Sequence, residues 1–223
     1  LESKHIVHSV NKEGKDITRY SIMTLFALTA MTVISLSSIW GMKIAGISIG
    51  IGIVFYINNR TTTRSIVLVK ETDRKVLKHL IWVILPFVMN GICFLLAYLF
   101  VPDFIQHIQG RTEVVLSISH LLLFVFQLAI LAVGEEIAWR GFFQKQLGKS
   151  LPVIPAITLT SIVFTLGHFV FGPLLVVSYD LVFIFINSVL YGIVYYRTDS
   201  FWISAISHFL ANLFAVVLLL FLG

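Results

Sequence analysis

The sequence predicts an all-α, polytopic membrane bundle of about seven transmembrane helices, and three observations carry that prediction. Of the 223 residues, 58% are hydrophobic and 12% are charged. The mean hydropathy of +0.95 is far above that of a water-soluble domain. Apolar runs of roughly 20 residues recur along the chain, the length that crosses a hydrocarbon core at about 1.5 Å per residue. Lysines and arginines gather at the ends of these runs. Backbone N–H and C=O groups in lipid must be satisfied within the segment, so the runs read as helices.

Taken in order, residues 1–19 form a polar tail of mixed charge that lacks the apolar stretch of a signal peptide. Candidate spans follow at 20–39, 41–58, 79–101, 114–134, 153–171, 174–196 and 201–222. The second is thinned by Gly46, Gly50 and Gly52 and holds Lys43, which makes it a short or tilted span. Asn59 to Lys78 reads as a basic cytoplasmic loop with a surface-lying apolar patch, Ile66 to Val69. Residues 20–113 thus form an N-terminal membrane unit and 114–223 a second one. With alternating sides, all of the 16 Lys and Arg except Lys43 and Arg111 fall on one side. The positive-inside rule places that side, and the N-terminus, in the cytoplasm, with the C-terminus outside. Because the net charge of +5 serves topology, no nucleic-acid partner is expected. The lone cysteine, Cys93, lies in an apolar run and reads as a small buried hydrophobe.

Ionisable residues in membrane helices usually face the bundle interior or a water-filled cavity. In VGEEIAWRGF, Glu136 and Arg140 are four apart and share a helix face, so Arg140 is expected to hold Glu136. Glu135 is turned about 100° from Glu136 and is left to point elsewhere. Phe164 and His168 are four apart on the fifth span, and His208 and Asn212 four apart on the seventh. Each pair alone has a plain structural reading: a solvated ion pair, a packed histidine, hydrogen-bonding glue between helices. Together they bring an acid, two histidines and an amide donor from different helices. That is the inventory for hydrolysing an amide: a carboxylate takes a proton from water, a histidine orients the water, and donors steady the oxyanion. With these spans Glu135 ends the fourth helix at the cytoplasmic face, and His168 falls toward the far end of the fifth. Shifted helix boundaries or tilt would close that difference in depth. Asp180 and Asn187, seven apart, line nearly one face of the sixth span as interior polar packing or cavity wall. His120 sits about four turns from the glutamates, out of reach of them.

The ordered trio Glu135-Glu136-xxx-Arg140, Phe164-xxx-His168 and His208-xxx-Asn212 resembles the three motifs of the CAAX protease and bacteriocin-processing (CPBP, or Abi) family of intramembrane proteases. The stretch from Asn187 to Asn212 resembles that family's approach to its last motif. The resemblance covers roughly residues 114–220, which makes 114–223 the protease core. It implies an endopeptidase acting on a membrane-associated peptide or protein, in bacteriocin or signal-peptide processing, self-immunity, or CAAX processing. It further implies that Glu135 and His168 activate water, that His208 and Asn212 form the oxyanion site, and that Glu136, Arg140 and Phe164 support the site. No cofactor is implied; were a metal bound, Glu135, His168 and His208 would be its ligands. Implied partners are the peptide substrate and the bilayer, with the site toward the cytoplasmic half. Two other classes compete: a non-enzymatic immunity or scaffold protein that binds a peptide, and a proton-coupled transporter. The complete set of motif residues argues against the first. The lack of internal repeats argues against the second.

Overall fold

The computed structural model describes residues 21–62, 80–115 and 121–222. Every element among them is helical, in an order that we label α1 Ser21–Trp40, α2 Gly46–Thr62, α3 Leu80–Phe100, α4 Asp103–Val115, α5 Leu121–Glu136, α6 Val153–Leu166, α7 Leu174–Thr198 and α8 Phe201–Leu222. Past Glu136, α5 continues without a break through a π-helical stretch, Ile137–Gln144, to Leu147. The all-α polytopic bundle is thus as expected. Five helices are long and apolar enough to cross a membrane: Ser21–Trp40, Leu80–Phe100, Leu122–Leu147, Leu174–Thr198 and Phe201–Phe221. The second and fifth expected spans are shorter apolar helices, Gly46–Asn59 and Val153–Leu166.

Local chemistry explains the boundaries. The helix α1 ends in a 3-10 turn closed by Gly41, whose left-handed φ of 79° lets its N–H reach the Ser38 carbonyl at 2.9 Å. Prolines 102, 152 and 173 each stand just before a helix, where a missing N–H costs nothing. A left-handed residue, Asp199 with φ 50°, ends α7.

Three differences from the sequence reading matter for the site. The stretch 102–113, expected to be a loop, forms the helix α4, whose Phe104, Ile105 and Ile108 pack against Cys93, Phe94 and Ala97 of α3, Val176 of α7 and Leu219 of α8. The fifth span ends at Leu166 rather than 171, because the chain leaves the helix at Gly167 and stays irregular through Gly172 and Pro173. The fourth span does not stop at 134: its helix runs 26 residues, Leu122–Leu147, straight through the charged motif. Charge alone suggested a helix end there, but Arg140 is fully buried and neutralised within the bundle. Glu135 therefore lies halfway along α5, about 20 Å from either end.

The outside of the bundle is apolar, with Phe26, Leu99, Leu122 and Phe126 exposed, while Glu135, Glu136, Arg140 and His208 are buried. This inverted arrangement is what a lipid solvent selects. Helix α2 packs on α5 through a stripe of small residues: Gly134 meets Ile49 and Ile53, Ala138 meets Gly52, and Gly141 meets Tyr56. Close approach on this face turns the opposite face of α5, with its two acids, toward α6, α7 and α8.

Candidate active site

Glu136 and Arg140 are both 0% exposed, so neither charge has water to fall back on. Arg140 Nη1 stands 3.1 Å from Glu136 Oε1, the pairing expected from their spacing. Arg140 Nη2 donates to the Ser188 carbonyl and to Ser188 Oγ, each at 2.9 Å. The guanidinium lies 5.0 Å from the centre of the Phe164 ring and 5.5 Å from that of Tyr191, so two π faces take up part of its charge. Glu136 is occupied on both oxygens. Its Oε1 also accepts from His208 Nδ1 at 2.9 Å, and its Oε2 accepts from Ser204 Oγ at 2.6 Å.

Glu135 faces a different set of groups. Its Oε1 is 3.8 Å from His168 Nε2 and its Oε2 is 3.7 Å from His208 Nε2. Both gaps exceed a direct hydrogen bond and suit a bridging water. Each imidazole is held by its other nitrogen. His168 Nδ1–H donates to the Phe164 carbonyl at 2.9 Å, and His208 Nδ1–H donates to Glu136. Both rings therefore present Nε2 to Glu135, able to accept a proton when neutral and to donate one as imidazolium. Aromatic packing fixes the ring planes: Phe164 lies 4.4 Å from His168, and Tyr191 stacks on His208 at 4.4 Å and 19°.

The expected mismatch in depth is absent. From mid-α5 the chain descends to Leu147, turns, and climbs α6, so that His168, one residue past the helix-ending Gly167, regains the level of Glu135. A cavity of about 1050 Å³ collects the remaining candidates: Glu135, Phe164, His168, His208 and Asn212 all line it, as do Asp180 and Asn187. Glu136 and Arg140 sit behind its wall. The cavity reaches exposed residues Gly41, Lys43 and Phe171, at the end of the bundle that holds the α1–α2 and α6–α7 connections and α4. That end is opposite the Lys145–Lys149 turn.

Asp180 and His107 pair at 3.3 Å on the cavity wall, so Asp180 belongs to a cluster with His107 of α4, a residue between the expected third and fourth spans. His120 lies outside the described residues. Reasoning from sequence missed Ser188, Tyr191 and Ser204 as holders of the site, and Asn90 as a cavity residue. A signal existed for two of them: Ser204 is four before His208 on one face, and Asn90 is an amide in the middle of an otherwise apolar span.

Among the described residues no three His, Cys, Asp or Glu side chains form a ligand set.

Residues 117–214 match the family model described as Type II CAAX prenyl endopeptidase Rce1-like. No match was found among curated proteins or among solved structures. The matched stretch contains the two acids, both histidines, Asn212 and the residues that hold them. Over these residues the chain is similar to the Rce1-like side of the CAAX protease and bacteriocin-processing family.

Proposed function

We propose that the protein hydrolyses a peptide bond of a membrane-associated peptide at Glu135. The observation that carries this reading is the bracket around Glu135, with its two oxygens each 3.7–3.8 Å from a histidine Nε2 inside one cavity. A water between Glu135 and His168 gives its proton to the Glu135 carboxylate as its oxygen bonds to the substrate carbonyl carbon. Asn212, and His208 through Nε2–H as imidazolium, donate to the oxyanion that forms. The C–N bond then breaks, and the proton held by Glu135 passes to the leaving amine. The products are a new carboxyl terminus and a new amino terminus. Glu136 and Arg140 keep His208 and the α5–α7 spacing in place.

The substrate class divides between prenylated CAAX proteins and exported bacterial peptides. The position of the cavity favours the second: it reaches the surface at the end away from the basic turns, the end that the charge pattern assigns to the outside. A non-enzymatic immunity or scaffold protein would need the cavity but not the bracket. Purified protein should therefore be offered two internally quenched peptides, one apolar and unmodified, the other carrying a farnesylated CAAX end, in water enriched in heavy oxygen. Cleavage with one heavy oxygen in the new carboxyl group, absent with Glu135→Gln, is the expected result. Cleavage that survives Glu135→Gln sinks the assignment, and no cleavage of either peptide favours the binding protein.

A further inference from the structure

A chain of amides lies on the wall of the cavity that Glu135 also lines. Asn90 Nδ2 donates to the Ala211 carbonyl at 2.7 Å, and Asn187 Nδ2 donates to Asn90 Oδ1 at 2.6 Å. The direction of this chain is fixed. A carbonyl can only accept, so Asn90 must turn its nitrogen to Ala211 and its oxygen to Asn187. Asn187 must answer with its own nitrogen, which leaves Asn187 Oδ1 at the free end as an acceptor. That oxygen is buried, and no donor among the described residues reaches it. A buried acceptor left unmade costs stability, so the position is one that a ligand N–H would relieve.

The surroundings say what ligand. Asn187 and Asn90 line the same cavity as Glu135, His208 and Asn212. Ala211 immediately precedes Asn212, and Tyr191, one helical turn beyond Asn187, stacks on His208. Asn187 is thus tied through its own neighbours to both members of the proposed oxyanion pair. We propose that Asn187 binds substrate: its Oδ1 accepts a main-chain N–H of the peptide next to the scissile bond. This rests on the proteolytic reading above. Within a helix every such N–H is already bonded to a carbonyl of the same segment. An acceptor at this place therefore selects peptide that has come unwound, the form in which the scissile carbonyl is open to water. It reads backbone rather than side chain and adds no preference for a particular residue.

The test uses the purified full chain and the internally quenched farnesylated CAAX peptide, together with the unmodified apolar one. In a matched series, each backbone amide near the scissile bond is replaced in turn by an ester, which removes one N–H. For the wild type, one ester position should raise KM roughly tenfold with kcat little changed, the size of one neutral hydrogen bond. Asn187→Leu should raise KM for the all-amide peptide by a similar factor and lose the ester effect, with a modest fall in unfolding midpoint because Asn90 Oδ1 loses its donor. Asn187→Ala serves the same comparison should the leucine variant not fold. An ester effect that persists in these variants, or a midpoint that falls while KM holds, would overturn the proposal and leave Asn187 as helix glue. Cleavage that depends on Glu135 but shows no ester-sensitive position overturns only this inference. Peptides left intact by wild type and Glu135→Gln alike overturn both readings.

Discussion

Glu135 and Glu136 are adjacent in sequence, yet their surroundings assign them opposite work. Glu136 is saturated by Arg140, His208 and Ser204, so it has no capacity left for chemistry. Glu135 stands at water-bridging distance from the Nε2 atoms of two histidines. The division was legible from spacing alone, because four residues along a helix put Glu136 and not Glu135 over Arg140. What was not legible is how the pair is anchored. Ser188, Tyr191 and Ser204 lie on helices whose register against α5 is set by tertiary packing, and no local pattern encodes that. The buried pair makes a sharp prediction. Arg140→Met or Glu136→Gln leaves one charge uncompensated and should cost about 3–5 kcal/mol, seen as a lower thermal unfolding midpoint in detergent. The double variant, with neither charge, should recover part of that loss. Midpoints equal to wild type in both single variants would mean that the pair is not buried as described.

At the scale of elements, the position of the site depends on two helices that the sequence reading cut wrongly. The charged motif looked like the cytoplasmic end of a span, since Glu135, Glu136 and Arg140 within a few residues are costly in lipid. The helix continues to Leu147 because those charges are turned inward and paired. The fifth span was read too long, and its early end at Leu166 brings His168 back to the depth of Glu135. Helix existence was thus readable from hydropathy, whereas helix ends depended on burial that hydropathy does not report. The glycines that seemed to weaken the second span have separate explanations. A Cβ on Gly52 would lie 2.7 Å from the Ala138 backbone, while Gly50 has nothing within 4 Å. Gly52→Val should therefore push α2 from the π-helical stretch and cost about 1–3 kcal/mol, the usual scale of overpacking. Gly50→Val should be nearly neutral. Equal unfolding midpoints for the two variants would contradict the α2–α5 contact.

For the whole molecule, bundle and lipid-facing surface followed from composition, and the ordered trio of motifs pointed to the site. The shape of the cavity did not follow, because α4 was hidden in a stretch of mixed polarity whose apolar residues, Phe104, Ile105 and Ile108, face inward. Orientation rests on the charge pattern, which we propose puts the N-terminus and the Lys145–Lys149 turn in the cytoplasm and the cavity mouth near Lys43 outside. Lys43 and Lys149 are both exposed, and the single cysteine, Cys93, is buried, so single-cysteine labelling has a low background. An impermeant maleimide should label Lys43→Cys on intact cells and Lys149→Cys only after permeabilisation. The reverse pattern would turn the cavity to the cytoplasm and restore prenylated proteins as the favoured substrates. We propose Glu135 as the group that activates water. The direct measurement is the steady-state cleavage rate of Glu135→Gln protein whose unfolding midpoint matches wild type. We predict a loss of at least about 100-fold, the lower bound for removing a general base. A rate within a few-fold of wild type would contradict the account.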